Sequence, residues 1–228
     1  LGAVDGPGLR CVVFLQGCPL RCQYCHNADT WDCQGGTEMT VEEVVARVER
    51  QRPYFGAEGG VTLSGGEPLA QPEFAAKVLR RCQELGIHTA VDTSGACLNA
   101  AVEEALEYTD LVILDIKHTD PEKYATLTGG KLDSTLRFLE HIRRLGKPLW
   151  VRQVIIPGWN DTEDDARALA ALLRDVPSLE RMELLPYHRM GRKKWEALGL
   201  RPGLEGVPEA DAEVVARLER VVREELEV

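Results

Sequence analysis

The sequence has no long hydrophobic run. None of its apolar stretches approaches the ~20 residues that a membrane-spanning helix needs, and no secretory signal pattern opens the chain. We therefore expect a protein with no membrane partner. The first residue is Leu1 rather than methionine, so we also expect some N-terminal sequence to be missing.

Basic residues are scarce relative to acidic ones. The chain has 27 Lys and Arg against 37 Asp and Glu, which gives a formal net charge of −10. Because nucleic-acid binding depends on neutralising phosphates, this balance argues against nucleic acid as the main partner. The one basic cluster, residues 189–194, is interpreted as a solvated loop, with a docking patch as the alternative.

The sequence also lacks a linker rich in Pro, Gly or Ser, and it has no low-complexity tract. With 228 residues, 44% of them hydrophobic, it can bury a large core, and we expect a single domain over residues 1–228. Seven cysteines are an odd number for a chain without a secretion signal. This favours a reducing compartment, the cytoplasm, where clustered thiols serve metal or redox chemistry.

What the sequence does contain is a regular alternation of strands and helices. Apolar, β-branched runs predict six buried parallel strands, at residues 9–15, 60–64, 87–93, 111–117, 149–156 and 182–187. Amphipathic stretches predict helices after Thr40 and at residues 72–85, 99–108, 134–145, 162–173 and 208–226. The predicted fold class is α/β, a partial (β/α)6 barrel of parallel strands that lacks two of the eight units of a complete barrel.

Unusual polar residues follow the carboxyl ends of the predicted strands. A cysteine-rich loop follows the first strand, "SGGEP" follows the second, and Asp92 and Thr93 close the third. "LDIK" ends the fourth strand and "PYH" ends the sixth. Because ligands of parallel β/α folds bind beyond the carboxyl ends of the strands, we expect an active site on this face.

The cysteine-rich loop, "QGCPLRCQYCHN", places Cys18, Cys22 and Cys25 within eight positions. Cysteine thiolates bind zinc or iron–sulfur clusters. Structural zinc commonly takes two separated Cys-x-x-Cys pairs, and only one is present, so zinc is the weaker alternative. Three thiolates would leave one iron of a cluster open to a substrate. The other four cysteines are expected to be structural, with Cys33 a weak candidate for a further ligand: Cys11, Cys33, Cys82 and Cys97.

The spacing of these three cysteines resembles the signature of the radical S-adenosylmethionine (SAM) superfamily. With "DGPG" before it, the stretch "GLRCVVFLQGCPLRCQYCHNADTW" is similar to the activating enzymes of glycyl-radical enzymes, most closely those that act on pyruvate formate-lyase. The resemblance continues through "GGVTLSGGEPL", "GIHTAVDTSG", "TDLVILDIK", "VIIPGWND" and "LLPYHRMGRKKWEALG". Relatives with extra clusters carry a cysteine-rich insert after the first loop. Its absence here implies a single cluster.

The resemblance implies a role for each strand-end motif. Cys18, Cys22 and Cys25 would hold a 4Fe-4S cluster and, with Lys117, would be the catalytic residues. The implied SAM-binding residues are Tyr24, Cys25, His26, Gly65, Gly66, Glu67, Asp115, Ile116, Lys117 and His188. The implied ligands of a monovalent cation are Asp92, Thr93, Ile113 and Asp115.

Several of these residues also have simpler interpretations. The Gly65–Gly66 pair can form a plain tight turn. Asp92 and Asp115 can be helix caps or surface carboxylates, and Lys117 can be a surface lysine. His188 can be an ordinary loop histidine. The sequence leaves two roles undecided for each of two further residues. Arg152 either positions substrate or SAM or pairs with a carboxylate. Asp5 forms either part of a groove for the partner peptide or a turn.

The resemblance also implies the reaction and its partners. Under anaerobic conditions SAM would be cleaved reductively to methionine and a 5′-deoxyadenosyl radical, which takes a hydrogen from a glycine of pyruvate formate-lyase. The implied partners are this glycyl-radical enzyme and flavodoxin or a similar low-potential electron donor, with the chain acting as a monomer. An open barrel wall would admit the glycine loop. The alternatives are an activator of a dehydratase-type glycyl-radical enzyme and a non-catalytic metal-binding or electron-carrier protein.

Overall fold

A computed structural model describes residues 1–226 and contains one six-stranded parallel sheet. The strands run in chain order across the sheet: β1 (Arg10–Leu15), β2 (Gly60–Gly65), β3 (His88–Thr93), β4 (Leu111–Asp115), β5 (Leu149–Ile155) and β6 (Leu179–Pro186). β1 and β6 form the two edges and do not pair with each other in the described chain. The predicted α/β fold with an open, partial barrel is confirmed.

Eight α-helices occur within the described residues: α1 (Val41–Gln51), α2 (Pro72–Glu84), α3 (Ala100–Glu107), α4 (Pro121–Thr128), α5 (Leu132–Leu145), α6 (Glu163–Leu173), α7 (Arg192–Ala197) and α8 (Ala212–Leu226). The six predicted helices are confirmed, although α5 begins two residues earlier and α8 four residues later than expected. The short helices α4 and α7 were not predicted. Both follow strand-end motifs, so they lie at the same end of the sheet, beyond the carboxyl ends of the strands.

Local sequence signals explain where the main helices begin and what they bury. At the start of α1, the Thr40 hydroxyl accepts from the Glu43 amide, and the Glu43 carboxylate accepts from the Thr40 amide. Val44, Val45 and Val48 then face the core on one side of α1. The main core lies between the outer face of the sheet and these helices. No helix in residues 1–226 combines the length and apolar character needed to cross a bilayer.

The N-terminal segment is held to the start of the sheet by Arg10, whose side chain is fully buried. Its guanidinium donates to the hydroxyl of Thr62 at 2.7 Å and to the carbonyl of Val61 at 2.7 Å. Thr62 in turn donates to the carbonyl of Asp5 at 2.6 Å. Residues 5–8, "DGPG", are therefore tied to β1 and β2 through buried hydrogen bonds.

Candidate functional site

The loop after β1 carries the three clustered cysteines and is held by neighbouring backbone. The amide of Gly17 donates to the carbonyl of Thr30 at 2.8 Å, and the carbonyl of Gly17 accepts from the amide of Glu67 at 2.8 Å. The amide of Cys25 donates to the carbonyl of Cys22 at 3.0 Å. The loop is thus fastened both to its own end and to the turn that follows β2.

A cavity of about 380 Å³ opens where the strands end, and it contains most of the predicted site. Its volume lies within the usual range for small-molecule sites. The predicted residues that line it are Cys18, Cys22, Tyr24, Cys25, His26, Gly65, Gly66, Asp92, Thr93, Asp115, Lys117 and His188. Residues from five strand ends therefore converge on one cavity, as the strand-end pattern predicted.

Three predicted residues do not line this cavity. Glu67 is fully buried behind the turn after β2, and Ile116 is fully buried in the main core. Ile113 packs against Ala90 and Leu111 in a small cluster on β3 and β4. These positions can reach a ligand only through backbone atoms or through neighbouring side chains.

The three cysteines are free thiols, and burial keeps them protonated. Burial raises the pKa of Cys18 to about 11 and that of Cys22 to about 12. It also raises the pKa of Cys25, although hydrogen bonds from the Asn27 backbone and the Trp31 side chain act in the opposite direction. Binding to metal would offset this cost, because a coordinating thiol loses its proton outright. Three thiols that line one cavity and form no disulfide fit an iron–sulfur cluster.

Two ion pairs lie at the strand ends, and three of their four members line the cavity, namely Asp115, Lys117 and Arg152. Lys117 Nζ lies 2.5 Å from Asp115 Oδ2, and Arg152 Nε lies 2.9 Å from Glu183 Oε2. Burial opposes the charge on Lys117, but Asp115, Tyr24 and Cys22 together outweigh burial and raise the pKa of Lys117 well above its usual value. Arg152 both lines the cavity and pairs with a carboxylate, so both interpretations of its position are compatible with its contacts.

Two histidines stack beside Cys25. The ring centroids of His26 and His188 lie 4.2 Å apart with an interplanar angle of 29°, and His26 Nε2 lies 3.1 Å from the His188 carbonyl oxygen. His188 Nδ1 and the Tyr24 hydroxyl are buried without a hydrogen-bond partner. Buried polar atoms normally have partners, so these two fit a site that a polar ligand completes.

The Glu67 carboxylate is fully engaged by protein donors. Oε1 accepts from Thr93 Oγ1 at 2.7 Å and from the Leu69 amide at 3.1 Å, and Oε2 accepts from the Ser94 hydroxyl at 2.6 Å and the Ser94 amide at 2.9 Å. Four donors fill the acceptor capacity of a carboxylate. Glu67 therefore links the turn after β2 to the end of β3 inside the protein.

Several cavity residues were not identified from the sequence. Ser64 donates to Asp92 Oδ2 at 2.8 Å, and Trp31 and Ser94 line the cavity. Ser64 is the first residue of the "SGGEP" motif and Ser94 directly follows Thr93, so the pattern that located Asp92 could have located them. Trp195 donates from Nε1 to the Cys25 carbonyl at 2.8 Å. No sequence signal connects this distant tryptophan to the cysteine loop.

A larger groove of about 920 Å³ lies outside the cysteine loop, and Cys33 and Phe14 are among its lining residues. None of the three clustered thiols lines it. Cys33 is exposed and lies outside the cavity of the other cysteines, which makes a role as a fourth ligand unfavourable.

Gly66→Ala should weaken the contact between the turn after β2 and the cysteine loop. A Cβ at residue 66 would lie 2.5 Å from the Gly17 carbonyl oxygen and 2.8 Å from that of Thr30. We expect a loss of about 1–3 kcal/mol in the free energy of unfolding and less iron retained after anaerobic reconstitution. Gly146→Ala is the control for iron retention: no atom lies within 4 Å of its added Cβ, so its cost comes from the left-handed backbone (φ 62°) and leaves the cysteine loop untouched. Equal iron retention in the two variants would contradict the prediction.

Asp92→Asn should stabilise the protein at alkaline pH when small cations are absent. Burial and repulsion from Asp115 raise the pKa of Asp92 from 3.8 to about 6. The folded state therefore holds this proton more tightly than the unfolded state does. Protonated Asp92 therefore stabilises the folded state at acidic pH, and this contribution is lost as the pH rises through about 6. In tetramethylammonium buffer, urea titrations should give the variant a free energy of unfolding about 1–2 kcal/mol higher than that of wild type at pH 8. The difference should be smaller at pH 5. A difference independent of pH would refute the assignment.

Comparison with known proteins identifies the type of site. The sequence pattern of the Radical SAM superfamily matches residues 12–170. The chain belongs to the radical SAM superfamily. A radical SAM protein binds SAM and a 4Fe-4S cluster, so these two predicted cofactors are confirmed, and the chain is an enzyme.

Full-length relatives place this radical SAM enzyme among the activators of glycyl-radical enzymes. It is 46% identical over 228 residues to the pyruvate formate-lyase-activating enzyme of Clostridium pasteurianum, covering 100% of this chain and 95% of the relative. It is 42% identical over 226 residues to the pyruvate formate-lyase 1-activating enzyme of Escherichia coli strain K12, covering 98% and 92% of the two chains. The resemblance inferred from its motifs is confirmed.

A solved structure agrees with this placement. A domain of pyruvate-formate lyase-activating enzyme from Bacteroides vulgatus superimposes with a TM-score of 0.61 and 28% identity. The superposition covers 73% of this radical SAM chain and 94% of that domain.

Proposed function

We propose that the chain activates pyruvate formate-lyase by generating a glycyl radical on it. The observation that carries the proposal is the convergence of three free thiols, a stacked histidine pair and Lys117 on one cavity of an open barrel. The full-length relatives that bear this activity in their names support the choice of partner.

The cofactors are held by the residues of this cavity. Cys18, Cys22 and Cys25 bind the 4Fe-4S cluster as thiolates. SAM is held by the cavity residues Tyr24, His26, Gly65, Gly66, Asp115, Lys117 and His188, and Ile116, anchored in the main core, fixes the backbone between Asp115 and Lys117. When bound, the cluster and SAM supply a reductive cleavage that yields a radical able to abstract hydrogen from carbon. Glu67 acts by fixing the turn that carries Gly65 and Gly66, because its own oxygens are already engaged.

Charged groups in the cavity orient the reactants. Lys117, paired with Asp115, offers a positive charge to a carboxylate at the cavity wall. Asp92 and Asp115 repel each other, so a monovalent cation between them lowers the electrostatic cost of keeping both ionised. The backbone carbonyls of Thr93 and Ile113 complete this proposed cation site.

The open side of the barrel admits the glycine segment of the protein substrate. Exposed apolar side chains stand on both edge strands, with Phe14 52% exposed on β1 and Leu185 36% exposed on β6. The N-terminal segment lies close to the cavity, because Arg152 donates to the Val4 carbonyl. Asp5 is proposed to form part of the groove that receives the peptide, and the hydrogen bond from Thr62 fixes its backbone beside β2.

Flavodoxin or a similar low-potential protein serves as the electron donor. We further propose that the enzyme works as a monomer in the cytoplasm, where reducing conditions keep its seven unpaired cysteines free. Light scattering of the anaerobically purified protein tests the monomer directly.

Electron paramagnetic resonance tests the proposed function. The reconstituted chain, dithionite and SAM are incubated with pyruvate formate-lyase or with a dehydratase-type glycyl-radical enzyme. We expect a glycyl radical on pyruvate formate-lyase and one 5′-deoxyadenosine per radical. A radical on the dehydratase alone would redirect the proposal to that partner, and SAM cleavage without any protein radical would reject it.

A further inference from the structure

A basic patch, formed by Arg189, Arg192, Lys193 and Lys194, covers the outside of the cysteine loop. Arg192 and Lys193 form no ion pair with a carboxylate in residues 1–226, and Lys193 is exposed. Arginines elsewhere on the helices, such as Arg143 and Arg167, pair with acidic residues one turn away. The basic patch is therefore a positively charged surface on a chain whose net charge is −10.

The basic patch lies against the ligand loop. The backbone of Gly191 approaches so closely that an added Cβ would lie 2.9 Å from the Cys25 carbonyl oxygen. Lys194 Nζ lies 2.9 Å from both Asn27 Oδ1 and Asp29 Oδ1. One layer of backbone therefore separates this surface from Cys25.

Two tryptophans connect α7 with Cys25. Trp195 donates to the Cys25 carbonyl at 2.8 Å, and its ring meets that of Trp31 edge to face with centroids 4.9 Å apart. Trp31 lines the same cavity as Cys25. Because electron transfer between proteins slows steeply with distance, a carrier docked here has a short, well-packed route to the ligand thiol.

We propose that the basic patch is the docking surface for an acidic, flavin-bearing electron carrier. Charge complementarity selects this occupant, since the rest of the molecule repels acidic proteins and the patch attracts them. Met190, 79% exposed, and Leu198, 47% exposed, supply apolar contacts beside the charges. In the transfer the reduced flavin loses one electron and the protein-bound cluster gains it, and no atom is exchanged. The inference rests on the proposed function, because it assumes that the chain needs such a donor.

Charge reversal tests the docking surface. The double variant Arg192→Glu/Lys193→Glu is compared with Arg217→Glu/Arg220→Glu, which makes the same change in net charge on exposed residues of α8. Binding of purified flavodoxin to each holoenzyme is measured by fluorescence anisotropy, and cluster reduction is followed by visible absorbance. We expect the patch variant to bind flavodoxin at least about tenfold more weakly and its cluster to be reduced at least about tenfold more slowly, a typical effect of electrostatic steering. The α8 variant should stay within about twofold of wild type.

Dithionite separates this inference from the proposed function. The patch variant reduced by dithionite should form the glycyl radical at the wild-type rate and with the wild-type KM for pyruvate formate-lyase. Equal flavodoxin binding by the two double variants would overturn the docking surface. A raised KM for pyruvate formate-lyase would also overturn it, because the basic patch would then dock the substrate protein. Failure of wild-type enzyme with dithionite would reject the proposed function instead.

Discussion

Cys18→Ala should leave a chain that folds but no longer cleaves SAM. Cys18 lines the cavity with Cys22 and Cys25, and burial holds the pKa of its thiol near 11 in the absence of metal. Its removal leaves two thiolates, which cannot retain a cluster that takes three ligands from the protein. After anaerobic reconstitution we expect iron and sulfide contents to fall sharply and 5′-deoxyadenosine to drop below detection. The wild-type circular dichroism spectrum should persist, because Cys18 lies outside the main core.

Cys33→Ala is the matched control for this prediction. Cys33 is an exposed thiol eight residues beyond Cys25 and lines a different groove from the clustered cysteines. This variant should keep wild-type iron content and SAM cleavage. If it lost its iron while Cys18→Ala retained a functional cluster, the assignment of the three ligands would be wrong.

The architecture could be predicted from the sequence because its signals are periodic. Near-continuous apolar strands alternate with amphipathic helices, and parallel connectivity places every strand end on one face. Asp92 and Lys117 therefore line the same cavity although 25 positions separate them in the sequence. Family resemblance then supplied the chemistry, which periodicity alone does not contain.

The missed elements lack that periodicity. α7 has six residues and only one buried side chain, Trp195, so no apolar repeat marks it. α4 could have been found, because Asp120 caps its first turn, Pro121 follows, and Gly129 ends it in a left-handed conformation. Other features of the site depend on contacts between residues that are distant in the sequence. Two partners of Glu67, Thr93 at the end of β3 and Ser94 directly after it, lie 26 and 27 residues away in the chain, and no local sequence pattern predicts these contacts.

Glu67→Ala should destabilise the whole protein as well as its active site. The substitution removes a fully buried carboxylate and leaves the Thr93 hydroxyl, the Ser94 amide and hydroxyl, and the Leu69 amide without their acceptor. Hydrogen bonds to a charged group contribute substantially, and buried donors left unpaired are costly. We therefore expect a loss of more than about 3 kcal/mol in the free energy of unfolding by urea titration.

Two further variants show whether the four hydrogen bonds cause this loss. Glu104→Ala removes an exposed glutamate from α3 and should change stability by less than about 0.5 kcal/mol. Glu67→Gln keeps the shape but turns an NH₂ group toward donors, so it should fall between wild type and Glu67→Ala. If Glu67→Ala unfolds at the wild-type urea concentration yet binds SAM poorly, the carboxylate is a ligand rather than the link between β2 and β3. Isothermal titration of SAM into the reconstituted variants distinguishes the two, since Glu67→Gln would then lose affinity without losing stability.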